Sequence, residues 1–169
     1  MLYEEAKSIA DELINVIKSY CERIEIAGSV RRKKSNVKDI EICLVPKDLL
    51  DGKAGKNKLF NTLGLFLLKN NKQFKYNKNG DRYKQFTYKN VNIDMFIGHT
   101  NNWGLLFLIR TGSAEFSTKI LARWKKVSNG GYSKEGYLYD GKHEIHYTPE
   151  EMDVFNLCQM NWVEPELRN

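Results

Sequence analysis

Asp39-Ile40-Glu41-Ile42-Cys43-Leu44-Val45 is the stretch on which the fold turns. A strand repeats its side chains every two residues. Asp39 and Glu41 therefore point to one face, and Ile40, Ile42 and Leu44 to the other. Upstream lies the turn Gly28-Ser29-Val30-Arg31-Arg32, preceded by the short alternation Ile24-Glu25-Ile26. Downstream, Val91-Asn92-Ile93-Asp94-Met95-Phe96-Ile97 repeats the pattern around a third carboxylate, Asp94. If the two strands are neighbours, Asp39, Glu41 and Asp94 converge on one sheet face.

Helical periodicity surrounds these strands. Ala6, Ile9, Ala10, Leu13, Ile14, Ile17 and Tyr20 recur at three and four, which predicts a helix over 3–20. Asp51–Lys56 reads as a loop, and Leu59, Phe60, Leu63, Phe66 and Leu67 form the stripe of a second helix. Residues 73–89 read as a hairpin about Asn79-Gly80. The character changes near Gly98-His99-Thr100. Residues 102–126 predict two helices broken at Thr111-Gly112-Ser113, and Asn129-Gly130-Gly131 ends the second. Short strands follow over 136–147. Thr148-Pro149-Glu150-Glu151 predicts a helix start with Thr148 as the cap. The fold class is thus α+β: a mixed sheet with helices on one face in residues 1–100, then a small mixed α/β domain in residues 101–169.

Composition sets wider bounds. The 169 residues carry a formal charge of +6 and a pI near 9.1. That balance fits a polyanionic partner, or simply a lysine-rich surface. Cys21, Cys43 and Cys158 are odd in number and far apart, with neither zinc spacing nor a disulfide framework. With no apolar signal core and no membrane-length stretch, an intracellular protein with no membrane partner is expected.

Chemistry concentrates at the turn and the carboxylates. Gly28 lets a ligand approach the backbone, and Ser29 and nearby amides can donate to phosphate oxygens. Arg31 or Arg32 adds a charge-assisted contact. Three carboxylates suit hard divalent cations, and a cation pair beside a phosphate cradle suits in-line phosphoryl displacement. The plain alternative is a solvated strand face. Gly52–Lys56 fails the phosphate-loop spacing. Trp103 and Trp124 read as core, and His99, His143 and His146 as structural or surface residues. Lys119, Arg123, Lys125 and Lys126 suit either a DNA backbone or a solvated helix face.

Gly28-Ser29, the spacer, Asp39-Ile40-Glu41 and Asp94 resemble the nucleotidyltransferase superfamily pattern. Downstream, Trp103-Gly104, Arg110-Thr111-Gly112-Ser113, Tyr137-Leu138-Tyr139-Asp140-Gly141 and Trp162-Val163-Glu164-Pro165-Glu166-Leu167-Arg168 look like family X, polymerase-β-like DNA polymerases. The resemblance runs from about residue 22 onward. It implies a palm followed by a thumb, and DNA-directed transfer of a deoxynucleotide to a primer 3′-hydroxyl with release of pyrophosphate. Asp39, Glu41 and Asp94 would be catalytic and hold two Mg2+ ions, with Mn2+ as a substitute. Asp94 would also help deprotonate the primer. Gly28, Ser29 and Arg32 would hold the triphosphate. Thr111 and Gly112 would lie under the sugar and base, where a helix N-terminus favours phosphate. Ser117 stands where relatives place an Asn that reads the minor-groove edge.

The implied partners are gapped or primer-template DNA and a deoxynucleoside triphosphate, with the enzyme a monomer acting in gap-filling repair. Besides Ser117, three features depart from the family. Glu41 replaces an Asp, Ile109-Arg110 replaces an aromatic pair, and residues before 22 carry no helix-hairpin-helix glycine pattern. The form expected is a minimal palm-plus-thumb enzyme of the kind found in viruses or compact genomes. Template-independent or other-branch nucleotidyl transfer, and a non-catalytic DNA-binding module, are the competing readings.

Overall fold

The structure, a computed structural model, describes residues 1–47 and 54–169. It is mixed α+β and divides into two compact units, Met1–Ile97 and Gly98–Asn169. Among the described residues, no helix is long and apolar enough to cross a membrane.

The first unit is a five-stranded mixed sheet in the order β1-β2-β5-β4-β3. Its strands are β1 (Cys21–Ile26), β2 (Asp39–Pro46), β3 (Lys78–Asn79), β4 (Tyr83–Tyr88) and β5 (Val91–Ile97). β2 and β5 pair in parallel and the other neighbours antiparallel. Parallel strands need a long crossover, and the connection from β2 to β5 runs through α3 (Ala54–Asn70) and the β3–β4 hairpin. Ile40, Ile42, Leu44, Ile93, Met95 and Ile97 turn to one face. There they are buried with Ala6, Ile9, Leu13 and Ile17 of α1 (Tyr3–Ile17) and Leu59, Leu63 and Leu67 of α3. That leaves the odd-numbered face of β2, the carboxylate face, on the side away from this core. Glu12 of α1 accepts from Tyr88 Oη at 3.1 Å and Lys89 Nζ at 2.6 Å, tying the helix to the end of β4.

Three local expectations change. The Gly28-Ser29 turn is a single helical turn, α2 (Gly28–Arg31). Ala54-Gly55-Lys56, read as loop, already belongs to α3, and the remainder of that segment lies outside the described residues. The Asn79-Gly80 hairpin exists, but β3 has only two residues, Asn79 pairs with Lys84 and Gly80 N donates to Tyr83 O at 2.9 Å, so the turn falls on Asp81-Arg82, two residues later. A second, tighter hairpin joins β4 to β5. Tyr88 pairs with Val91, and the two intervening residues, Lys89 and Asn90, have φ of 47° and 62°. Positive φ at both central residues is the geometry that matches strand twist.

The second unit holds α4 (Trp103–Thr111) and α5 (Ala114–Val127). An antiparallel sheet of β6 (Tyr132–Lys134), β7 (Tyr137–Tyr139) and β8 (Ile145–His146) follows, then α6 (Glu151–Leu157). Leu105, Leu108, Phe116, Ile120, Trp124, Leu138, Val154 and Phe155 form its core, and Trp103 is fully buried, in keeping with a packing role for both tryptophans. Gly104 lets α4 meet the start of α6: a Cβ there would stand 2.1 Å from Glu150 O.

Thr148 does not cap α6. The helix begins at Glu151, with Glu150 and Asp153 forming its capping box. Thr148 is buried and serves α4 instead: its carbonyl accepts from Gly104 N at 2.7 Å and its hydroxyl from Leu105 N at 3.3 Å. The N–H groups of a first helical turn lack partners within the helix, and here the buried α4 terminus takes the threonine that local sequence assigns to α6.

Arg168 is fully buried in this unit. Its Nη1 meets Glu151 Oε1 at 2.5 Å, its Nε donates to Val163 O at 2.9 Å, and its guanidinium carbon lies 4.7 Å from the Trp162 ring centroid. Its carbonyl accepts from Ser113 N at 3.0 Å, so one residue braces α5, α6 and the segment after α6.

Candidate functional site

The parallel register of β2 and β5 sets Glu41 directly beside Asp94, and Asp39 beside Asn92. β4 continues the row, with Gln85 opposite Asp94 and Tyr83 opposite Phe96. The polar face therefore carries Asp39, Glu41, Asp94 and Gln85 together. Asp39 is exposed, Glu41 half-buried and Asp94 only 8% exposed.

Asp94 is held by one oxygen. Its Oδ1 accepts from Gln85 Nε2 at 2.9 Å and from Tyr83 Oη. Two donors on one oxygen fix the carboxyl plane and leave Oδ2 without a partner among the described residues. Tyr83 is itself fixed: its ring stacks on Phe96 at 5.1 Å, and Lys78 Nζ lies 5.5 Å from its centroid. Tyr83 and Gln85 are site residues that the strand alternation alone does not reveal. The Lys89-Asn90 turn would have revealed them, because it fixes the register that puts Gln85 opposite Asp94.

α2 closes the other side. Ala27 N donates to the Glu41 backbone carbonyl at 2.8 Å, which anchors the turn on β2 at the carboxylate-bearing residue. Gly28 has φ +59°, and a Cβ there would come 2.0 Å from Glu41 Oε2. The Glu41 carboxylate thus packs on a backbone that only glycine leaves open. Beside it, the Ser29 hydroxyl is shielded from solvent and has no hydrogen-bond partner among the described residues. A buried, unpaired hydroxyl costs roughly 1–3 kcal/mol, a penalty that a bound acceptor would lift. Arg32 stands half-buried at the end of the same turn.

Gly28→Ala is expected to lower unfolding free energy by about 1–2 kcal/mol, the cost of left-handed backbone for a residue with a Cβ. Urea melts check it. An unchanged midpoint would mean that Glu41 and the turn give way freely.

The three carboxylates share a face without forming a closed cluster. Among the described residues, no three His, Cys, Asp or Glu side chains are gathered closely enough to hold a metal ion. Glu41 leans on Gly28, Asp94 is drawn to β4, and Asp39 lies roughly 6.5 Å from Glu41 along the strand.

The second unit arranges the other expected residues around the α4–α5 break. Thr111 is the fully buried end of α4 and Gly112 is its C-cap. Ser113 caps α5 by accepting from Phe116 N at 3.1 Å. Ser117 donates its hydroxyl to Ile109 O at 3.0 Å, which leaves only its lone pairs for another partner. Lys119, Lys125 and Lys126 are exposed, whereas Arg123 is half-buried and donates Nε to Cys158 O at 2.9 Å. At 3.6 residues per turn, Lys119, Arg123 and Lys126 share a side of α5, and Lys125 lies about 100–160° from each of them.

The cysteines stay out of this chemistry. All three are buried, and burial pushes the Cys21 thiol up to about 12 and that of Cys158 up to about 11, so neither is a thiolate nucleophile near neutrality. No protein-family profile matches the chain, and no curated protein matches it.

Proposed function

We propose that this chain is a template-directed, magnesium-dependent DNA nucleotidyltransferase of the polymerase-β-like kind, acting on gapped or primer-template DNA. The observation that carries the reading is the in-register pair Glu41 and Asp94, set beside a glycine turn whose serine hydroxyl is buried and has no partner among the described residues.

The donor set fits hard cations. All three side chains offer carboxylate oxygens, and Asp94 keeps one oxygen uncommitted. Asp39, Glu41 and Asp94 would hold two Mg2+ ions, which supply charge stabilisation at the attacking and leaving oxygens. The rest falls to the chain. Ser29 donates its orphaned hydroxyl to a phosphate oxygen of the incoming deoxynucleoside triphosphate, and Gly28 keeps the backbone low enough for that approach. Arg32 adds positive charge to the triphosphate as negative charge develops. Asp94 would help draw off the 3′-hydroxyl proton. The 3′ oxygen then bonds to the α-phosphorus as the bond to the bridging oxygen breaks, and pyrophosphate leaves. Tyr83 and Gln85 keep Oδ2 aimed by occupying Oδ1.

Single-turnover extension of a gapped duplex tests the reading, with each deoxynucleotide offered separately in magnesium and an unpaired primer alongside. Template-matched insertion is expected. Equal insertion on the unpaired primer would assign the chain to template-independent transfer. No insertion on either, with DNA still bound, would leave a non-catalytic DNA-binding module.

A further inference from the structure

The positive charge is not evenly shared. Lys and Arg outnumber Asp and Glu by 19 to 12 in Met1–Ile97, but number 8 against 9 in Gly98–Asn169. Within the first unit, Gly52–Gly80 contains seven lysines and no acidic residue. Four of them, Lys69, Lys72, Lys75 and Lys78, recur every third residue along the connection from α3 to β3. All four are exposed, and none is ion-paired with a described residue. Three other lysines of this unit are ion-paired: Lys7 with Asp11, Lys56 with Asp81 and Lys89 with Glu12.

The connection is anchored. Phe74 and Tyr76 turn inward and pack edge-on against each other and against Phe86, with centroids 5.0–5.7 Å apart. Asn77 N donates to Gln85 O at 2.7 Å, and Phe74 N to Asn71 O at 2.9 Å. Phe74 and Tyr76 therefore fix the backbone while Lys72, Lys75 and Lys78 stay on its outer side. The row ends at the candidate site, because Lys78 lies over the Tyr83 ring whose hydroxyl holds Asp94.

We infer that the Lys69–Lys78 connection is a phosphate-contacting edge that carries a nucleic-acid backbone up to the carboxylate face. The inference deepens the nucleotidyltransferase reading and rests on it for the choice of DNA as the polyanion. A fixed row of unpaired lysines meets a regularly charged backbone without reading sequence, and each phosphate it neutralises releases counterions. The main electrostatic contact with DNA then lies in the first unit, and the lysines of α5 are secondary.

The test is fluorescence anisotropy of a labelled primer-template duplex, titrated with the full chain across a salt series. The triple variant Lys72→Gln, Lys75→Gln, Lys78→Gln is compared with a control of equal charge change, Lys7→Gln, Lys18→Gln, Lys89→Gln. The slope of log affinity against log salt is expected to fall by about three in the first variant, near one per lysine, and to hold in the control. Thermal melts report whether both variants fold. Equal slopes in the two variants would overturn the inference, since net charge alone would then explain binding. So would tight wild-type binding to vesicles rich in anionic lipid with none to the duplex. Binding is measured without turnover, so the two readings fail separately. An inactive chain that shows the slope change refutes the enzyme and keeps the edge, and an active chain that lacks it does the reverse.

Discussion

Asp94→Asn is expected to lose at least about a thousand-fold in single-turnover primer extension while melting within a few degrees of the parent. The substitution keeps the shape of the side chain and an oxygen that can accept from both Tyr83 and Gln85. What it removes is the negative charge and the basic oxygen at Oδ2. A thousand-fold corresponds to about 4 kcal/mol of transition-state stabilisation, the scale expected of a group acting on the reacting oxygens. Stability should hold or rise slightly, because Asp94 is 8% exposed and stands in register with a second carboxylate, Glu41. Unimpaired extension would refute the assigned chemistry outright. A fall in extension that tracks a fall in melting temperature would show only that Asp94 supports the sheet.

The second large effect lies far from that chemistry in sequence. Arg168→Ala should destabilise the second unit by about 3–5 kcal/mol, because removing one partner of a buried ion pair strands the other. Glu151, 7% exposed, would lose the Arg168 guanidinium, and the space among Trp162, Phe155 and Phe116 would lose its filler. A loss of that size is a large share of the 5–15 kcal/mol typical of a domain. Urea unfolding followed by near-ultraviolet circular dichroism measures it. Lys is no remedy, since its ammonium cannot lie flat on the rings while donating in two directions. The double variant Arg168→Met, Glu151→Gln should recover most of the loss, because it leaves no unpaired charge behind. If the double variant is as unstable as Arg168→Ala, the residue acts through its carbonyl and backbone rather than through the ion pair.

The alternation of Asp39, Glu41 and Asp94 with buried aliphatics placed all three on one face on the condition that the two strands are neighbours, and the parallel pairing of β2 with β5 meets it. The helical stripes of α1 and α3 were legible for the same reason. What escaped was set by tertiary need or by unusual residue choice. Lys89 at positive φ gave no turn signal, so the β4–β5 register, and with it Tyr83 and Gln85, stayed hidden. Thr148-Pro149-Glu150-Glu151 has every local mark of a cap, yet the unpaired amides of α4 claimed the threonine. Arg168 reads as a solvent residue in any window and is fully buried. The lean of Glu41 onto Gly28 and the pull of Asp94 toward β4 are rotamer outcomes that spacing does not encode.

The burial of Arg168 also bears on the order in which the polypeptide matures during synthesis. Every strand of the first unit has been made by Ile97, but α5 receives its hydrogen bond at Ser113, and α6 its ionic partner at Glu151, only when residue 168 arrives. At ~5–20 residues per second, several seconds separate the emergence of α4 from that event. Throughout that interval Phe116 lacks its final seating, and chaperones have a defined window in which nascent chains display this surface.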